Sequence, residues 1–544
     1  MLGKPGKFLP LLLIVMVVSC ITEKSAQKFH KQAEVYERIQ EITSRPEFNG
    51  AHWGMKFYTP DTGEILYSLN EEDVFNPASS MKIFTAGTVY ESLGKDYRFH
   101  TPVYRTGPVE NGILKGDLVV KASGDLLLGG RINSDGTLNL PETDHTYDMS
   151  ATAVPVSDDP LRSIRILAEQ IAENGIKGIE GIVIVDNTLF QEGTDSLGGT
   201  GEHVISPMMI NDNIVDIVVS PGKTAGSPAG LQIIPETPYV TIINKVTTVE
   251  KLSAPGPGGP PNNMLAGKPQ FVDDILNGDG SHTVTLTGEI VLGSSPTLCT
   301  YRIPEPARFA EAVLCMLLKE KGISVNVDLK RKHDFSALSG NYTPENKIAE
   351  IVSPSLTEEL FPMMKLSSNL HTAAWPYIVG AIAGGKSENA RLKGFEIQKA
   401  LYERTGVEVD VDTANLHKIA DAGYSPKSFI NFLEYLYNTP YFSEFKKCLP
   451  VMGVDGTLSD IDPALAAAGH VYAKTGTGLR MTRRLGDERP SVSIVKALAG
   501  FLLLPNGRIV MFAEFVDYDT DNPDTTIAHQ AMSEIANVIY EALM

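Results

Sequence analysis

Cysteine is scarce in this chain, with four in 544 residues. Cys299, Cys315 and Cys448 form an odd set once Cys20 near the start is set aside, and their spacing suits no metal site. These three are expected to fill cores rather than form a disulfide framework. Positive charge is also short: 47 Lys and Arg stand against 66 Asp and Glu, a formal net charge of −19. No basic field exists to meet phosphates, so nucleic acid is not a partner. Any contact with a carboxylate must be made locally, without long-range steering. None of the eleven histidines falls in H-E-x-x-H or another metal spacing, no G-x-S-x-G elbow occurs, and no repeat of fixed period is visible. No cofactor is implied.

Long apolar runs are missing too. The run from Phe8 to Val18 is shorter than the ~20 residues that span a bilayer, but it follows Lys4 and Lys7 and suits a signal-peptide core. It ends in Val17-Val18-Ser19-Cys20, which resembles a bacterial lipobox. The expectation is a signal over residues 1–19, a lipid anchor to the membrane on Cys20, and a fold that starts after about residue 28. A plain secretory signal is the alternative. Gly380-Ala381-Ile382-Ala383-Gly384-Gly385-Lys386-Ser387 matches a P-loop, yet a helix-like run from Leu370 precedes it where a strand is required. Nucleotide binding is set aside.

Three short motifs stand in order: Ser79-Ser80-Met81-Lys82, Ser367-Ser368-Asn369 and Lys474-Thr475-Gly476. Together they could supply an acyl-transfer site: a nucleophile with a base one turn away, a hydroxyl with an amide, and a cation on a strand. Each alone is weak. S-x-x-K also occurs at Ser25, Ser220, Ser443 and Ser493, and S-x-N at Ser68, Ser324, Ser339 and Ser387. Context selects Ser79. Asn76 to Gly94 reads as a helix with Pro77 at its start, Gly94 as its stop, and Met81, Phe84, Val89 and Leu93 as apolar positions. Residues three apart share a helix face, so Ser79 and Lys82 can meet. Lys474-Thr475-Gly476 is the only K-T-G, follows the β-prone His470-Val471-Tyr472-Ala473 and continues into Thr477. Pro505-Asn506-Gly507 between two apolar runs signals a hairpin, and a helix-like segment from Thr525 to Leu543 closes the chain. The K-T-G strand is thus expected at a sheet edge, where an extended peptide can pair with it while Lys474 and Thr475 hold a carboxylate.

On these motifs the chain resembles the class C low-molecular-mass penicillin-binding proteins, the serine D-Ala-D-Ala carboxypeptidase/endopeptidase family related to serine β-lactamases. Gly116-Asp117-Leu118-Val119-Val120, Ser123-Gly124-Asp125, Gly181 to Asp186 and Leu449 to Leu458 are similar to further family segments. The long gap from Ser79 to Ser367 separates it from β-lactamases. The chain departs in Ser368, where Asp is commoner, in Asp412 to His417, a weak counterpart of the family's Asp-Gly-Ser-Gly-Leu-Ser type segment, and in a longer charged loop between Gly478 and Ala497 carrying Arg480, Arg483, Arg484 and Arg489.

The resemblance implies an α/β fold: a transpeptidase-like domain, an antiparallel sheet flanked by helices, with a large β-rich insertion. Residues 28–96 and 333–544 would form that domain and 97–332 the insertion. A helix from about Gln27 to Ile42, two strands around Thr59-Pro60-Asp61-Thr62-Gly63, a helix from Arg308 to Lys321 and a strand from Ser324 to Leu329 are further expectations. The resemblance further implies Ser79 as nucleophile, Lys82 as base, Ser367 as proton relay, and Asn369, Lys474, Thr475, Gly476 and Thr477 as substrate-binding residues. The backbone N–H groups of Ser79 and Thr477 would stabilise the oxyanion. Peptidoglycan stem peptides would be the substrate and β-lactams acylating inhibitors, in a periplasm-facing lipoprotein. A non-catalytic wall-binding lipoprotein with a decayed site, and a β-lactamase or esterase, are the rival readings.

Overall fold

The computed structural model describes residues 31–133, 135–147, 150–157, 159–196, 202–252, 267–385, 388–409, 419, 422–482 and 491–544. The proposed signal and Cys20, the Pro/Gly-rich stretch 253–266, the 412–417 segment and residues 483–490 lie outside the described residues. The chain groups into two compact units, residues 1–81 with 402–439 and 449–544, and residues 82–401 with 440–448.

In the first unit, both ends of the chain build one five-stranded antiparallel sheet. Its order is Val471–Thr482, Ser491–Leu503, Ile509–Thr520, His52–Thr59, Glu64–Leu69, so the K-T-G strand is an edge as expected. The first two strands turn at Gly63, whose φ of +68° suits glycine, and the Pro505-Asn506-Gly507 hairpin joins Leu503 to Ile509. One face of the sheet buries Met55, Leu498 and Phe512 against Val35, Ile39 and Ile42 of a helix over 31–43 and Ala528, Met532 and Ile535 of the helix Thr526–Leu543. Towards the other face Phe515 meets Phe429 of the helix Pro426–Tyr437, with ring centroids 5.2 Å apart. Strand alternation produces this division, because Phe512 and Phe515 are an odd number of residues apart.

The second unit is a mixed assembly of strands and helices. Its seven-stranded sheet runs Lys347–Val352, His100–Arg105, Leu118–Lys121, Gly178–Asp186, Ile113–Leu114, Val109–Glu110, with Ser324–Asn326 also on Gly178–Asp186. Smaller sheets use Ile214–Ser220, Gly230–Ile234 and Thr297–Arg302, then Val240–Val249, Gln270–Leu276 and His282–Val291. The α/β fold with β-rich inserted sequence is thus present. Three details differ from the sequence reading. The strand from Ser324 ends at Asn326, and the sheet that begins at His100 does not stop at residue 332, since Lys347–Val352 pairs with His100–Arg105. The loop expected after Gly478 is also shorter. Leu479 pairs with Ile494 and the ladder continues to Thr482 and Ser491, because alternating apolar residues extend both strands. Cys299, Cys315 and Cys448 are buried. Among the described residues no helix is long and apolar enough to cross a membrane.

Candidate active site

Ser79 lies in a 3₁₀ turn, Ala78–Met81, that runs directly into the helix Lys82–Leu93. The helix therefore starts later than Pro77. Asn76 Oδ1 accepts from the Ala78 N–H at 2.8 Å, and the Ser80 N–H and hydroxyl both bond the Pro77 carbonyl, at 3.0 and 2.7 Å. Ala78 is held at φ +43°, a conformation L-residues avoid and that persists where surroundings enforce it. Ser79 is half-buried, whereas Ser80 and Met81 are buried.

The K-T-G strand passes beside this turn within the first unit. A Cβ on Gly476 would lie 2.2 Å from the Pro77 oxygen and 3.1 Å from the Ser80 nitrogen, so only glycine permits the approach. Lys474 is fully buried and its Nζ donates to the Thr475 carbonyl at 3.0 Å. Burial, with the Lys496 cation adding, pushes its ammonium down to about 7. Lys496 is itself pushed down to about 8 by burial against the opposing pull of Asp460, and donates to Thr477 Oγ1 at 2.8 Å. His529 is pushed down to about 3 by burial and then by these two lysines. Thr475 is nearly buried and its hydroxyl meets that of Thr457 at 2.7 Å, which explains why the Leu449 to Leu458 segment accompanies K-T-G. Thr477 is exposed.

In the second unit Lys82, 1% exposed, projects its Nζ to three acceptors: the Ser367 carbonyl at 2.5 Å, Ser367 Oγ at 3.0 Å and Asn369 Oδ1 at 2.7 Å. Ser367 has φ +62°, the backbone twist that turns its carbonyl and hydroxyl to the same amine. Ser368 caps the helix Asn369–Ile382, accepting from the His371 N–H at 3.4 Å. Ser and Asp serve equally well at an N-cap, so the Ser-for-Asp departure has a neutral physical reading. The second unit thus brings Lys82, Ser367 and Asn369 together, and the first brings the Ser79 turn to Lys474, Thr475 and Gly476.

The competing matches resolve differently. Ser493 and Lys496 sit on the strand Ser491–Leu503, where residues three apart face opposite ways. Gly380, of the P-loop pattern, lies inside the helix Asn369–Ile382 and lets the helix Ala390–Thr405 approach: its Cβ would be 1.8 Å from the Ala390 oxygen. Sequence reasoning missed Tyr147, whose hydroxyl donates to the Ser367 carbonyl at 2.6 Å, and Lys496, whose charge bears on Lys474. Tyr147 carries no motif, and Lys496 was visible only as part of a false S-x-x-K.

Similarity to known proteins agrees with this arrangement. The D-alanyl-D-alanine carboxypeptidase of an Actinomadura species is 26% identical over 502 residues, covering 88% of this chain and 80% of the relative. The crystal structure of penicillin binding protein 4 from Haemophilus influenzae covers 93% of this chain and 99% of its own, with a TM-score of 0.62 at 20% identity. The same protein complexed with a β-lactam matches with a TM-score of 0.60 at 19% identity, covering 93% of this chain and 99% of its own. The D-Ala-D-Ala carboxypeptidase 3 (S13) family model matches residues 35–538, and with the motifs and fold above the chain belongs to that family.

Proposed function

We propose that Ser79 is the nucleophile of a serine D-Ala-D-Ala carboxypeptidase and Lys82 its base. The enzyme class itself follows from the family: a serine-type hydrolase of peptidoglycan. The observation that carries the residue assignment is the buried Lys82 amine, held by both oxygens of Ser367 and by Asn369 rather than solvated. In this reading Ser79 Oγ attacks the carbonyl between the two D-alanines and its proton passes to Lys82. Ser367 relays a proton to the departing D-alanine amine, and the N–H groups of Ser79 and Thr477 take the oxyanion. Lys474 and Thr475 hold the terminal carboxylate, Gly476 keeps the strand close to the Ser79 turn, and Asn369 binds the substrate amide while orienting Lys82. Water then attacks the acyl carbon, and Ser79 recovers its proton. A free terminus and a crosslink present the same D-alanyl carbonyl, so both stem peptides and crosslinks are substrates. β-Lactams acylate the same serine.

Residues 28–96 with 333–544 act in this reading as the transpeptidase-like domain, interrupted by 97–332. Val17-Val18-Ser19-Cys20 supports a periplasm-facing lipoprotein anchored through Cys20.

Mass spectrometry of the penicillin-treated protein tests the assignment. The Ser79 peptide should carry the adduct, Ser79→Ala should carry none, and Lys82→Ala should react at least about 100-fold more slowly. An adduct on another serine overturns the site, and no adduct on wild type favours the decayed-site alternative.

A further inference from the structure

Six buried polar side chains in the second unit, none of them in a motif, lead to the Ser367 turn. Arg131 Nη2 donates to Asp144 at 2.6 Å and to Asp212 at 2.5 Å. His145 bonds Asp216 through Nδ1 at 3.0 Å and Asp212 through Nε2 at 3.1 Å, and His371 Nε2 meets the other Asp212 oxygen at 3.2 Å. All six are buried, five of them with no exposed surface and Asp216 with 1%. Burial alone would push the His145 imidazole down, but Asp216 and Asp212 outweigh it and hold it at about 10. Asp212 is held well below the usual carboxylate range: burial opposes this, and Arg131 and His371 prevail. Asp212 lies in a run, Asn211, Asp212 and Asn213, with φ of 50°, 55° and 57°. Three consecutive left-handed residues other than glycine persist only where their surroundings over-determine them.

The cluster closes a ring on the Ser367 turn. From Asp144 the chain makes a single 3₁₀ turn, His145–Tyr147, in which Asp144 Oδ1 accepts from the Thr146 N–H and hydroxyl at 2.9 and 2.6 Å. That turn delivers the Tyr147 hydroxyl to the Ser367 carbonyl, the oxygen that also takes a bond from Lys82. On the other side His371 sits two residues beyond Asn369 on the helix that Ser368 caps. Tyr147 and His371 therefore grip the Ser367–Asn369 segment at both ends, and both trace back to Arg131 and Asp212.

We propose that Tyr147 is a positioning residue for the Ser367–Asn369 turn, and that the Arg131, Asp144, Asp212 and His371 cluster is the frame that holds it. Ser367 must keep φ +62° to offer both oxygens to Lys82. A second donor on its carbonyl fixes that twist while Lys82 exchanges its proton. A purely structural cluster would stabilise the unit without needing the tyrosine hydroxyl. This inference rests on the assignment of Ser79 and Lys82 above.

The test is single-turnover acylation by a fluorescent penicillin, with the full chain as wild type, Tyr147→Phe and Asp144→Asn. Tyr147→Phe loses one hydroxyl and no packing. Its limiting acylation rate should fall roughly 10- to 100-fold, as expected when reacting groups are misplaced by a fraction of an ångström. The penicillin concentration giving half the limiting rate should stay within about twofold, and the melting temperature should be unchanged. Asp144→Asn, acting through the frame, should shift the rate in the same direction by less. A wild-type limiting rate in Tyr147→Phe overturns the inference, as does a changed half-saturation at unchanged rate, which would make Tyr147 a substrate contact. A wild-type protein that takes no label fails the Ser79 assignment itself, and this inference falls with it.

Discussion

Gly476 and Pro77 touch backbone to backbone: a Cβ on the glycine would stand 2.2 Å from the proline oxygen, closer than any real contact. The K-T-G glycine therefore sets how near the Ser79 turn lies to the edge strand. Gly476→Ala should push the turn away, costing about 1–3 kcal/mol of stability through overpacking. Penicillin acylation should fall by about 100-fold, because displacement near 1 Å has that effect on a reacting pair. A variant acylated at the wild-type rate would mean that the turn is free to move without consequence.

Asn369 offers Lys82 an uncharged acceptor at 2.7 Å. Asn369→Asp would place a carboxylate there and strengthen the amine's hold on its proton. At pH 7 the acylation rate should drop roughly 10- to 100-fold. Part of the loss should return as pH rises, shifting the acid limb of the pH–rate profile upward. An equal loss at every pH would argue that Asn369 serves substrate binding alone.

Burial and then the Lys496 cation push the Lys474 ammonium down to about 7, so the charged form is lost as pH rises through that value. Only the charged form attracts a carboxylate. For a peptide ending in a free carboxylate, kcat/KM should fall as pH climbs from 7 to 9, and more steeply than for an ester lacking that group. A charge-assisted contact of about 1.5–3 kcal/mol sets the size of the difference. Binding should draw in protons at pH 8, measurable by calorimetry in buffers of different ionisation enthalpy. Lys474→Ala should remove both effects. For folding the sign is opposite to that of an ion pair. The unfolded lysine keeps its proton to about 10.4, so this residue's contribution to stability rises with pH between 7 and that value.

Cys20 ends a short apolar core in Val17-Val18-Ser19-Cys20. Wild-type protein expressed in a bacterial host should sediment with membranes and incorporate labelled palmitate. Cys20→Ala should do neither while keeping its reaction with penicillin. Equal palmitate incorporation in both would rule out the anchor.

Much of this site was legible because its parts are local. Ser79 and Lys82 are spaced by a helical turn, Ser368 precedes the helix it caps, and Lys474 sits in a β-prone run before a hairpin. The frame behind them was not. Residues 131, 144, 145, 212, 216 and 371 share no spacing, and only the fold makes them neighbours. The strand expected to reach Leu329 stops at Asn326 because its partner, Gly178–Asp186, pairs with it only from Gly178 to Ile182. Gly380 imitated a phosphate loop because close helix packing and phosphate binding ask the same thing of a glycine, an absent side chain. The charged residues after Gly478 disguised two strands, since Arg480 sits on a ladder that its apolar neighbours define.

The central sheet joins the two ends of the chain, and that has a cost in time. His52 pairs with Asp517, so the third contact of the sheet waits until nearly the whole polypeptide has been made. At about 5–20 residues per second that delay is roughly 20–90 s. Meanwhile His52–Leu69 can exist only as a two-stranded ribbon, too small to be stable by itself, with Trp53, Met55 and Phe57 uncovered and one edge open to other chains. A nascent chain of this kind depends on being kept apart from its neighbours until the last hairpin emerges, and losing even that hairpin would leave the His52–Leu69 strands without a sheet to join.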